Sequence, residues 1–137
     1  MEKARLDPDL VQSFVGLAHG DFAKVKQLLE QEPQLLNAAW DWGGGDFETA
    51  LEAAGHVGNQ DIARFLIEKG ARVNIFQAAM LGDLELVKAF LAAHPASLNA
   101  LGPHGIPLVA HAKAGGPDNP VIEFLEAFTR PDGPDES

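Results

Sequence analysis

Three stretches of the chain share one pattern: a glycine, a polar residue, then apolar residues at helical spacing. They run Gly20-Asp-Phe-Ala-Lys-Val-Lys-Gln-Leu-Leu29, Gly58-Asn-Gln-Asp-Ile-Ala-Arg-Phe-Leu-Ile67 and Gly82-Asp-Leu-Glu-Leu-Val-Lys-Ala-Phe-Leu91. Ile62, Phe65 and Leu66 fall at i, i+3 and i+4, one face of a helix, and Leu86, Val87, Phe90 and Leu91 repeat the arrangement. Each stretch leads to an asparagine, Asn37, Asn74 or Asn99, and each glycine follows a short segment of small and apolar residues. A weaker fourth unit reads Gly105-Ile-Pro-Leu-Val-Ala-His-Ala-Lys-Ala-Gly-Gly116, then Val121-Ile-Glu-Phe-Leu125. Every unit therefore predicts a helix, a glycine turn and a second helix. Gly58 and Gly82 suit the left-handed turn that ends a first helix. Asp9, after Pro8, is the expected cap of the first helix, and Asp61 and Asp83 lie near starts of second helices, where the dipole favours acid. The last helix, Val121 to Phe128, is expected to seal the array with Phe124, Leu125 and Phe128, leaving Glu123 and Glu126 outside. Pro117-Asp-Asn-Pro120 reads simply as a helix breaker.

At these residues the chain resembles the ankyrin repeat family. Glu48-Thr-Ala-Leu-Glu-Ala-Ala-Gly-His-Val-Gly58 is similar to the family's Thr-Pro-Leu-His-x-Ala-Ala signature, with Ala50 in the proline slot and Glu52 in the histidine slot. Glu68-Lys-Gly-Ala-Arg-Val-Asn74 matches the family's repeat ending, and Gly105-Ile-Pro-Leu108 keeps its Pro-Leu step. The resemblance covers roughly residues 10–128 and implies an all-α solenoid of about four helix-turn-helix repeats, like small stand-alone bacterial ankyrin proteins. Two spacings depart from the family period of about 33 residues. Gly20 to Gly58 is longer, which predicts an enlarged finger at Ala38-Ala-Trp-Asp-Trp-Gly-Gly-Gly-Asp-Phe47; Gly58 to Gly82 is shorter, which predicts that Asn74 passes straight into a helix with no finger. Residues 1–128 are read as one ankyrin repeat domain. Residues 129–137, rich in Pro, Gly and acid, are read as a disordered tail.

Composition narrows the function. The 137 residues are 46% hydrophobic and 22% charged, enough for one packed domain. Twenty acidic against 10 basic residues give a formal net charge of −10. That balance excludes a phosphate-binding nucleic-acid surface and disfavours an anionic membrane. The chain has no cysteine, so disulfides, thiolate catalysis and Cys-ligated zinc are excluded. No apolar run marks a signal peptide or membrane span, and a cytoplasmic protein is expected.

A repeat stack buries its seams between neighbours and leaves a concave face and fingers free. In the ankyrin family that surface binds proteins. Carried over residue by residue, the variable concave positions are Ala18 and His19, His56 and Val57, Met80 and Leu81, then Lys113 and Ala114. The fingers add Trp40, Asp41, Trp42, Phe47 and His104. The resemblance thus implies a non-catalytic module that grips a protein partner, with basic partners favoured by the acidic charge. The expected contact residues are Trp40, Asp41, Trp42, Phe47, His56, Val57, Met80, Leu81 and His104. Trp40 and Trp42 are expected on opposite sides of the finger, one packed beneath it and Trp42 exposed. Gly43 to Gly45 reads as a flexible tip. A monomer is expected, with self-association left open.

The five histidines, His19, His56, His94, His104 and His111, show no short ligand spacing. No metal or cofactor is assigned from them. The alternative is a polar pocket of Asp41, His56, His104 and His111, with Asp46 in reach, serving a metal or small molecule and conceivably hydrolysis. His111 replaces a usual alanine and is expected to face inward with a hydrogen-bond partner. No serine sits in a nucleophile elbow, so no catalytic residue is named.

Overall fold

The glycine-punctuated pattern resolves into eight α-helices in a computed structural model that describes residues 4–128. The helices are α1 (Pro8–Leu17), α2 (Phe22–Gln31), α3 (Ala50–His56), α4 (Gln60–Glu68), α5 (Ile75–Met80), α6 (Leu84–Ala93), α7 (Leu108–Ala114) and α8 (Pro120–Glu126). Between α2 and α3 a two-stranded antiparallel hairpin forms from β1 (Ala39–Asp41) and β2 (Phe47–Thr49). The predicted tail, 129–137, lies outside the described residues. None of the helices is long and apolar enough to cross a membrane.

Local chemistry sets the boundaries. Asp7, not Asp9, caps α1: its carboxylate accepts the Asp9 amide, and Pro8 takes the first helical position, where its missing N–H costs nothing. Asn59 caps α4 and Asp83 caps α6. Two capping boxes start first helices. Thr49 and Glu52 bond reciprocally at α3, and Asn74 and Gln77 do so at α5. Gly58 and Gly82 have φ of +74° and +77°, the left-handed turns the spacing requires.

First helices pack in series, α1 on α3, α3 on α5 and α5 on α7; second helices follow, α2 on α4 and α6 on α8. One apolar cluster joins Phe14, Val15, Val25, Leu35, Leu51, Ile62 and Leu66. A second joins Ile75, Phe76, Val87, Leu108, Val121 and Leu125. On α8, Val121 and Leu125 are the buried pair; Phe124 is only partly covered.

α5 is one and a half turns long, and α7 also touches α3. Gln60 Nε2 donates to the Gly115 carbonyl at 3.2 Å. A side chain at Gly58 would collide with the Ala114 carbonyl. Asn119, expected only to break a helix, is a clamp. Its Nδ2 donates to the carbonyls of Ala79 (2.7 Å), Met80 (3.3 Å) and Ala112 (2.9 Å), closing the ends of α5 and α7. Its Oδ1 accepts the Val121 amide and caps α8.

Candidate functional site

The hairpin register pairs Trp40 with Glu48 and Asp41 with Phe47. Residues i and i+2 of a strand share a face. Trp40, Trp42 and Glu48 therefore point the same way, which corrects the expectation that the two tryptophans diverge. Trp40 is half-buried against the first apolar cluster. Trp42 stays 39% exposed, and its Nε1 donates to Glu48 Oε1 at 3.0 Å. Phe47, on the other face, is 58% exposed. Asp41 does not join a pocket. Its Oδ1 accepts the amides of Gly43 (2.8 Å) and Gly45 (3.0 Å) and stitches the tip, where all three glycines have positive φ.

Beneath the hairpin, three imidazoles meet the Glu48 carboxylate. His19 follows α1, His56 ends α3, and His104 comes from the 3₁₀ turn Pro103–Gly105. His56 Nε2 lies 3.1 Å from His19 Nε2 and 3.1 Å from Glu48 Oε2. His104 Nε2 is 3.2 Å from Glu48 Oε2, and His19 Nε2 is 3.4 Å from Glu48 Oε1. Glu48 is completely buried, 0% exposed. Its Oε2 nevertheless forms no hydrogen bond.

Outer contacts fix the rings. His19 Nδ1 lies 2.9 Å from the Gly16 carbonyl. His104 Nδ1 lies 2.6 Å from Asp46 Oδ2, and the His104 amide donates to Asp46 Oδ1 at 2.7 Å. Carbonyls and carboxylates only accept, so both Nδ1 atoms carry hydrogen and both neutral rings turn an Nε2 lone pair inward. His104 has φ +61°, and it alone among the described non-glycine residues has positive φ. That conformation is sparsely populated for a residue with a side chain; Asp46 holds it from two sides.

Protonation follows the surroundings. Burial pushes the Glu48 carboxyl up, against the lowering effect of the Trp42 hydrogen bond. Burial, then the neighbouring His19 and His104, lowers His56 to about 4. At His104 desolvation pulls down, but the Asp46 hydrogen bond and the Glu48 and Asp46 charges outweigh it and raise the group. Asp46 is lowered by the His104 amide, then by the His104 ring.

The remaining expected residues separate. Val57 is 44% exposed beside His56. Leu81 is partly covered by the first apolar cluster. Met80 is 0% exposed and offers nothing to a partner; α5 is enclosed by α3 and α7, so its final turn lies inside. His111 faces inward as expected. Its Nδ1 donates to the Pro107 carbonyl at 3.0 Å and its ring meets Phe76 at 4.8 Å, while its buried Nε2 has no partner. It does not join the cluster, and neither does the exposed His94, whose ring lies against Phe90. Glu48 was not anticipated, and neither was His19's part in the cluster. The available signal was the alternation Trp40, Trp42 on one strand and Asp46, Glu48 on the next, which aims all four at one side.

The ankyrin repeat family profile matches residues 46–77, which span β2, α3, α4 and the start of α5. No curated protein and no solved structure matches the chain significantly.

Proposed function

We propose, for this chain of the ankyrin repeat family, a non-catalytic protein-binding module whose helix pairs form a four-repeat solenoid. Ankyrin repeats generally mediate protein–protein interaction and are typically non-catalytic. The observation that supports a particular surface is a row of rings. Trp42, His104, His56 and His19 follow one another at centroid separations of 6.4, 5.1 and 5.0 Å. Exposed Val57 adjoins His56 at the same helix end, while Phe47 is exposed on the opposite face of the hairpin. Rigid rings give contact area at small entropy cost. The partner is a protein segment carrying an apolar anchor beside Lys or Arg, because the chain bears a formal charge of −10. The setting is the cytoplasm and the module acts as a monomer.

Selection from a displayed peptide library tests this reading. The intact protein should enrich segments that place a basic residue next to Leu, Phe or Trp. Val57→Ala should bind the enriched peptides about 10-fold more weakly, and Val57 makes no hydrogen bond from its side chain that the fold would lose. No enrichment, or equal binding by a folded Val57→Ala, would refute the surface.

A further inference from the structure

The row of rings has a second property, independent of any partner. Four possible ligand atoms, one each from His19, Glu48, His56 and His104, lie within 4.8 Å of one another. We propose that these four residues form a tetrahedral zinc site, with the three Nε2 atoms and the Glu48 carboxylate as ligands.

Three observations carry this. The first is separation. At Zn–N and Zn–O distances of about 2.0–2.2 Å, the edge of a tetrahedron is about 3.3–3.6 Å. Three contacts, His19 to His56 at 3.1 Å and His56 and His104 to Glu48 Oε2 at 3.1 and 3.2 Å, are close to such an edge before any ion draws the ligands into place; His19 lies 3.4 Å from the other carboxylate oxygen. The second is orientation. Gly16 and Asp46 hold the Nδ1 hydrogens of His19 and His104, which fixes the tautomer that ligates through Nε2. A carboxylate behind a ligand histidine is the usual outer support of a zinc site, and Asp46 supplies it. Trp42 Nε1 likewise steadies Glu48 through Oε1. The third is an orphan. Glu48 is fully buried, yet Oε2 has ring nitrogens at 3.1 and 3.2 Å and no hydrogen bond. A buried carboxylate oxygen without a partner is costly. Ring nitrogens gathered around a carboxylate oxygen that accepts a hydrogen bond from none of them are what ligands around a shared cation present.

The bland reading is a hydrogen-bonded polar cluster. In it His56 Nε2–H donates to His19 Nε2 at 3.1 Å, but Glu48 Oε2 stays buried with no donor. The donor set, three imidazoles and one carboxylate without sulfur, suits zinc and its neighbours in the divalent series. Four protein ligands close the coordination shell, so the site is structural and not hydrolytic. It ties the end of α1, the end of α3, the hairpin and the last finger together.

The test uses the full chain, stripped with a chelator and titrated with zinc chloride in a calorimeter, then with cobalt(II) under visible absorption. The expected result is one ion per chain and the intense cobalt bands of four-coordination. Glu48→Gln and His56→Ala should weaken zinc binding at least 100-fold. Asp46→Asn, a positioning change, should weaken it 10- to 100-fold and still give four-coordinate cobalt. His94→Ala should bind like the parent. If Glu48→Gln does not fold, His19→Ala, at a partly exposed ring, carries the same expectation. No saturable zinc binding by the parent, six-coordinate cobalt, or undiminished binding by folded Glu48→Gln or His19→Ala would overturn the site. Val57 supplies no ligand, so failure here leaves the peptide result untouched.

Discussion

The α2–α3 connection and the α4–α5 junction end alike but differ in what comes before. Both end in a capping box that starts a first helix, Thr49 with Glu52 and Asn74 with Gln77. Before Thr49 stands an eleven-residue hairpin, 39–49. Before Asn74 no strand forms. The hairpin puts Trp42, Asp46 and Glu48 over the helix ends. The bare junction brings α7 against α3 and lets the last finger reach the hairpin, so that Asp46 meets His104 across 58 positions of sequence. The long and the short interval therefore work together. The enlarged finger supplies the acids, and the missing finger removes what would stand between them and His104.

The strongest way to break that comparison is to restore the lost finger by inserting a hairpin-length segment between Val73 and Asn74. The α3–α7 contact and the Asp46–His104 grip should both fail, and zinc affinity should fall about 100-fold or more, the upper range for losing an outer support together with its ligand. Nitrogen chemical shifts of the His104 ring would report the grip directly. An inserted variant that keeps the His104 signals of the parent would show that the short junction is incidental.

A smaller effect sharpens what the two connections share. Thr49→Ala and Asn74→Ala each remove a helix cap and should each cost about 1 kcal/mol in urea unfolding. Equal costs would mean that the caps serve the same local purpose whether or not a finger precedes them. A much larger cost at Thr49 would show that the hairpin depends on its cap.

The smallest expected effect separates the two histidines of the last unit. The one facing the hairpin, His104, is raised; the one facing α5, His111, is lowered by burial, which outweighs the Pro107 hydrogen bond and the Glu52 charge. A histidine depressed in the fold binds its proton more readily when unfolded. Its contribution is therefore full above the ordinary value of 6.5 and is lost as pH falls from there through the lowered value. His111→Gln should flatten that part of the stability curve between neutral and mildly acid pH. An unchanged acid slope would place the sensitivity elsewhere.

Much of the helical skeleton was legible because its causes are local. Helical spacing, glycine turns and capping residues act within a few positions, and the long and short intervals located the large finger and the missing one. The site was legible only in part. His56 and His104 were named, but Glu48 occupies an unremarkable slot before Thr49, and only β pairing opposite Trp40 shows that it is buried. His19 meets His56 across 37 residues, which no local pattern encodes. Met80 looked like groove and proved to be core because burial on α5 is set by both neighbours at once. Asp9 and Asp41 were near misses of a different kind. Pro8 shifts the cap back to Asp7, and the glycine amides draw Asp41 to the tip.

The hydrogen bonds from His104 to Asp46 have a kinetic meaning as well. Neighbouring helix pairs can dock as each is made, since their contacts are short in sequence and cheap in loop closure. The Asp46–His104 bonds wait for a loop of 58 positions to close. During synthesis, hairpin and first helices precede the residue that completes the cluster. The clasp closes across the hairpin, α3 and the α5–α6 pair, ahead of α7 and α8 in the chain, so it can fasten the middle of the stack before the last pair is added.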